Sequence, residues 1–171
     1  MNIRIIQRMD GLSLNDTINA QINTELWSSY LFLSMSINAS SKNLKGIANW
    51  FYIQHQKELS DAKKLIDYLN LIDSKVYLYP IEGVPTEWDS PLEMFKHKLE
   101  HDKKISTLIH ATSTIAEEKH DYASLDFLTK FANEQLKEEE RSRELVAAFE
   151  AAGDNKGTLL MLDRELGERK L

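Results

Sequence analysis

Cysteine is absent from the chain. That absence excludes disulfides, thiolate zinc sites, iron–sulfur clusters and cysteine-based catalysis together. Proline is nearly absent: Pro80, Pro85 and Pro91 share one short window, and elsewhere nothing fixes φ or removes a backbone donor. A chain so free of helix breakers is expected to be all-α. No apolar run reaches the roughly 18 residues of a membrane span, so no membrane partner is expected. An excess of positive charge is also lacking. The formal net charge of -6 argues against a surface that coats nucleic acid. The start, Met1-Asn-Ile-Arg-Ile-Ile-Gln-Arg8, has neither the apolar core nor the cleavage site of a signal peptide. A cytoplasmic protein is expected.

What is present fits one globular domain over residues 1–171, since 42% hydrophobic and 28% charged residues are ordinary for a packed soluble chain. Ser13 with Asp16 three residues later reads as a capping box, opening a first helix near Leu14. Its buried stripe is Leu14, Ile18, Ile22, Glu25, Ser29, Phe32, Ser36. After a short polar break at Ala39–Asn43, a second helix spans about Asn43 to Asn70. Its stripe is Leu44, Ile47, Phe51, Gln54, Glu58, Asp61, Leu65, Tyr68. Gly46 near its start reads as a mark of close helix packing. From Leu71 to Asp89 the helical period fails, and Lys75–Tyr79 alternates like a strand. At about 3.3 Å per residue such a segment can span ~60 Å, enough to run the length of a bundle. It can therefore start the third helix parallel to the second.

Ser90-Pro91-Leu92-Glu93 supplies an N-cap, a proline at the first helical position and an acid at the third. The third helix then turns Phe95, Leu99, Asp102, Ile105 and Ile109 inward. After a turn at Lys119–Asp121, a fourth helix carries Leu128, Phe131, Gln135, Glu138, Ser142, Leu145 and Phe149 on one face and ends at Gly153. A short fifth helix, Thr158 to Arg169, has a leucine face and requires docking. The expected architecture is a four-helix bundle with one long crossover between the second and third helices, plus a short C-terminal fifth helix.

Each long helix thus brings an acid to mid-bundle: Glu25, Glu58 with Asp61, Asp102, and Glu138 beside Gln135. Carboxylates converging in a low-dielectric core repel one another. Two outcomes are acceptable: some protonate and share hydrogen bonds, or a divalent metal neutralises them. Oxygen ligands without thiolate suit iron, manganese, magnesium or calcium. Glu58 stands where it could bridge two ions, with Glu25 and Asp61 on one and Asp102 and Glu138 on the other. His55, His97, His101, His110 and His120 fall off these stripes and are expected at the surface or on the flanks.

Glu25-Leu-Trp-Ser-Ser-Tyr-Leu-Phe-Leu-Ser-Met-Ser36, Lys42-Asn-Leu-Lys45 and Asn133-Glu-Gln135 resemble the ferritin family, and the overall pattern is most similar to bacterial non-haem ferritins. The likeness runs from about Leu14 to the C-terminal helix. It implies a hollow homo-oligomeric shell of 24 subunits that oxidises Fe(II) and stores ferric mineral. Carried over by position, Glu25, Glu58, Asp102, Gln135 and Glu138 match the ferroxidase-centre ligands, with Glu25, Glu58 and Gln135 in the catalytic role. Asp61 stands at the usual histidine, Asp102 at the usual glutamate, and Phe32 at a tyrosine that contacts the centre. Of a further three-acid iron site only Glu134 stays acidic, because Lys57 and Lys137 replace the others. Leu59 stands where haem-containing relatives have methionine, so no haem is expected; other divalent metals would share the iron site. A rubrerythrin-like peroxidase is disfavoured by the missing cysteines, and a DNA-protecting mini-ferritin by the fifth helix. Two functions remain open. One is an iron-storing ferroxidase weakened by its shorter ligands. The other is a non-catalytic cage subunit, its carboxylates neutralised by Lys57 or Lys137, that stores iron or co-assembles with an active ferritin.

Overall fold

Ser13 opens the first helix as its spacing demands: its hydroxyl accepts from the Asp16 N–H, and the Asp16 carboxylate accepts from the Ser13 N–H at 3.1 Å. The computed structural model describes residues 12–170, so the stretch Met1–Arg8 read above for a targeting signal lies outside it. Five helices follow: α1 (Leu14–Ser41), α2 (Lys45–Leu71), α3 (Pro91–Glu118), α4 (Tyr122–Ala152) and α5 (Lys156–Leu166). Among the described residues no helix is long and apolar enough to cross a membrane.

The caps explain where the helices begin. Asn43 takes a φ of 61°, which reverses the chain and delays α2 to Lys45 rather than Asn43. At α3, Ser90 accepts from the Glu93 N–H, while the Glu93 carboxylate reaches past it to the Asp89 N–H at 2.6 Å. Asp121 caps α4 through the Ser124 N–H. Asn155 caps α5, which starts at Lys156, two residues ahead of the expected Thr158. The helix also stops at Leu166 instead of Arg169, because Asn49 takes the Gly167 and Arg169 carbonyls as acceptors.

Short turns make α1–α2 and α3–α4 antiparallel neighbours, and α1 also packs on α3. The crossover, residues 72–90, contains no strand despite the alternation of Lys75–Tyr79. Its backbone finds side chains in place of a neighbouring strand. Asn19 donates to the Lys75 carbonyl at 3.0 Å and accepts from the Tyr77 N–H at 2.6 Å. One turn later Asn23 repeats this with the Tyr77 carbonyl and the Tyr79 N–H. Farther along, Ser34 and Asn38 donate to the Pro85 and Thr86 carbonyls, and Lys42 donates to that of Trp88. The crossover therefore lies along the whole of α1, so α2 and α3 start at the same end and run parallel. It also buries the outer side of α1.

Docking of α5 rests on two residues. The Asp163 carboxylate accepts from the Ile47 N–H at 2.9 Å, capping α2, whose own N-cap Leu44 has no side chain to do so. A Cβ on Gly46 would meet the Asp163 carbonyl oxygen at 1.5 Å, so only glycine allows this approach. The apolar core divides in two. One cluster, centred on Phe32, Trp50, Phe51, Phe95 and Phe149, lies toward α5; the other is built from Ile18, Ile22, Leu65, Ile105 and Phe131. Between them runs a buried polar belt.

Candidate functional site

The belt gathers the acids the stripes pointed to. Glu25 from α1, Glu58 and Asp61 from α2, and Asp102 from α3 are buried, and Glu138 from α4 exposes 12% of its side chain. Gln135 stands apart, donating its amide to the Asp102 backbone carbonyl at 3.1 Å. Glu134 is exposed and pairs only with Lys64 among the described residues, at 3.2 Å.

The belt also holds cations, and the most buried of them lies on α3. Lys98 is 0% exposed, where the sequence reading had turned Leu99 inward. Phe95, Lys98, Asp102, Ile105 and Ile109 satisfy the helical spacing equally well, but lysine is almost never fully buried unless paired. Here it is paired. Its ammonium donates to Asp102 Oδ2 at 2.7 Å and Ser142 Oγ at 3.0 Å, and lies 3.4 Å from Glu138 Oε2. Ser142 in turn donates to Asp102 Oδ2 at 2.5 Å. The rings of Phe32 and Trp50 flank the same nitrogen, each centroid 5.6 Å away.

On the α2 side, Asp61 is held by two lysines, Lys57 and Lys64, each at 2.8 Å. Lys57 also lies 3.8 Å from Glu138 Oε1. Lys137, the other proposed neutraliser, is exposed and makes none of these contacts. Burial works against the charge on Lys57, yet Glu58, Glu138 and Asp61 together raise its pKa above the ordinary lysine value. Burial likewise pushes Glu138 upward, but Lys98 and Lys57 outweigh it and hold the carboxyl below its usual range.

Glu25 and Glu58 face each other without an ammonium in salt-bridge range among the described residues. Burial first, then the neighbouring Glu58, drives Glu25 well above the ordinary carboxyl range. Burial raises Glu58 also, opposed chiefly by Lys57. Gln21 donates to Glu25 at 2.7 Å; Gln54 donates to Glu58 at 2.6 Å and to Glu138 at 3.2 Å.

Two further groups, one buried and one half-buried, lie beside the belt. His101 is 3% exposed, not on a flank; its Nε2 lies 2.7 Å from Ser28 Oγ, between the rings of Trp27 and Phe32. Burial, then the charge of Lys98, lowers its pKa to about 3, so the ring stays neutral. Arg169, beyond α5, donates to Gln54 Oε1 at 2.9 Å. Neither had a sequence signal beyond its helical phase or its nearness to the C-terminus.

Chemically, each carboxylate that a cation could use is already engaged by an ammonium, amide or hydroxyl donor. Among the described residues, no three acidic or imidazole side chains form a group arranged to hold a metal ion. The donor set as folded is that of an internally neutralised network.

Comparison with known proteins places this geometry among relatives. The family model described as "Ferritin-like domain" matches residues 15–152. A bacterial non-haem ferritin of Bacteroides fragilis (strain 638R) is 37% identical over 156 residues, covering 91% of this chain and 97% of that protein. The bacterial non-haem ferritin of Staphylococcus saprophyticus is 28% identical, with coverages of 91% and 93%. Among solved structures, an open-pore ferritin from the hyperthermophilic archaeon Archaeoglobus fulgidus superposes with a TM-score of 0.91 at 38% identity, over 92% of this chain and 97% of that one.

Proposed function

The chain belongs to the ferritin family, and from that premise we propose that it is a cage subunit that stores iron without oxidising it inside the bundle. Storage in a hollow shell, of 24 subunits in this reading, is supported by membership of the family. The loss of intra-bundle oxidation rests on one observation: the ammonium of Lys98, fully buried, sits on Asp102 and Glu138, the two acids that would hold the second iron. An ammonium in that position supplies the neutralisation a metal would otherwise bring, and a divalent ion there would be repelled by it. Lys57 and Lys64 do the same at Asp61.

Iron is cargo in this reading. The acids and Gln135 act as structural pairing groups, and oxidation takes place on the growing mineral or on an active ferritin subunit assembled into the same shell. A ferroxidase reading keeps one observation in its favour: Glu25 and Glu58 still face each other with no ammonium in salt-bridge range among the described residues, and a cation could take that place. The storage role is tested by analytical ultracentrifugation of the purified protein before and after aerobic loading with Fe(II). A shell that sediments faster after loading is expected. A monomer or dimer at micromolar concentration, or a shell that gains no mass, contradicts it.

A further inference from the structure

Downstream of α5 the chain leaves its helix and lies back along α2. Asn49 Nδ2 donates to the carbonyls of Gly167 at 3.3 Å and Arg169 at 3.1 Å, fixing the tail's backbone. The guanidinium of Arg169 stacks on Trp50, 4.4 Å from the ring centroid, and donates to the Trp50 carbonyl at 3.4 Å and to Gln54 Oε1 at 2.9 Å. The same Gln54, 0% exposed, donates through Nε2 to Glu58 and to Glu138. One glutamine amide therefore joins the C-terminal tail to carboxylates on two helices.

The chemistry of its neighbours fixes which way this amide points. A guanidinium has donors and no acceptor, so the atom facing it must be the carbonyl oxygen. The NH2 group then faces the two acids. A donor there satisfies carboxylates and repels a cation. Rotated by half a turn, the amide would present its oxygen beside Glu58 and Glu138, giving three hard oxygen donors of the kind manganese or iron accepts.

We infer that the docked C-terminal tail is a latch: Arg169 locks the Gln54 amide with its donor toward Glu58 and Glu138 and so holds a divalent cation out of the bundle. This rests on the closed-site reading above and assigns Arg169 as a positioning residue, since it touches Gln54 and not the acids. Arg169 is half-buried and lines a groove with Trp50, Arg141, Leu145 and Leu162, so the tail can lift without unfolding a helix. Lys57 and Lys98 stay in place whether the tail is docked or lifted. They set the basal affinity, and the amide sets the difference.

The test is calorimetric titration of Mn(II) into metal-free assembled protein, comparing the parent with Arg169→Ala, Gln54→Leu and the double variant. Arg169→Ala is expected to bind Mn(II) five- to tenfold more tightly than the parent, and the same change in the Gln54→Leu background is expected to alter affinity by less than twofold. An equal gain in both backgrounds overturns the latch, because the guanidinium would then act through its charge alone. No gain in either background also overturns it. Should Arg169→Ala fail to assemble, Asn49→Ala unties the tail without removing a charge, and an affinity equal to the parent's overturns the proposal. Tight Mn(II) binding by the parent itself would instead sink the closed-site reading, leaving the comparison of variants to judge the latch.

Discussion

Replacing Lys98 by methionine removes one ammonium and leaves most of its volume filled. The methionine would sit against Phe32 and Trp50, contacts suited to an apolar chain. What it cannot do is neutralise Asp102, 4% exposed, or the carboxylate of Glu138. Removing one partner of a buried ion pair costs about 3–5 kcal/mol, because the remaining charge stays buried and unpaired. For a domain of this size each kcal/mol shifts the midpoint by about 2–4 °C, so the apparent melting temperature should fall by about 6–20 °C. The same variant frees two carboxylates for a metal. Mn(II) at a hundredfold excess over its dissociation constant should return about 2.7 kcal/mol, while the parent should gain little. Circular dichroism melts of the assembled protein, with Mn(II) and with EDTA, read both effects. Adding Asp102→Asn to Lys98→Met should recover part of the loss and remove most of the metal response. The reasoning is refuted if Lys98→Met melts with the parent, or if the parent responds to Mn(II) as strongly as the variant.

Other expectations follow from single contacts. Gly46→Ala drives a methyl group into the Asp163 carbonyl oxygen, so α5 must undock; limited proteolysis should remove the C-terminus from this variant and spare the parent. His101 carries a folded pKa of about 3 against an ordinary 6.5, so the unfolded chain takes up a proton between those values and the folded one does not. Stability is therefore lost as pH falls below 6.5, by about 1.4 kcal/mol per unit, and His101→Gln should show a shallower acid dependence over that window in denaturant melts. Asn19→Ala together with Asn23→Ala removes the acceptors of the Tyr77 and Tyr79 amides, whose hydrogen exchange should accelerate while α3 stays protected.

The fold was legible because it rests on periodicity and caps. Ser13 with Asp16, Ser90 with Pro91, and the apolar stripes each point to one structure, and the crossover announced itself through Pro80 and Pro85. Misplaced boundaries trace to backbone detail: the positive φ at Asn43, and the Asn49 amide that draws Gly167 out of α5. At the site, the acids were legible as charges at apolar positions. Their partners were harder. Lys98 shares the α3 period with Leu99, and choosing between neighbours one residue apart needs the packing of Phe32 and Trp50 around the ammonium. Lys57 could be read as a local i,i+4 partner of Asp61. Gln54 lay on the stripe, but its link to Arg169 joins residues far apart in sequence, and no local rule brings them together.

Whether the bundle interior is closed to iron is read most directly by stopped-flow absorbance. Metal-free assembled protein would be mixed with air-saturated buffer and two Fe(II) per subunit. With Lys98 and Lys57 on the carboxylates, oxidation should lack a fast phase, match a Glu58→Ala variant, and accelerate only as mineral accumulates. A fast phase in the parent that saturates at two Fe(II) per subunit and disappears in Glu58→Ala would contradict the closed site and establish a working ferroxidase centre.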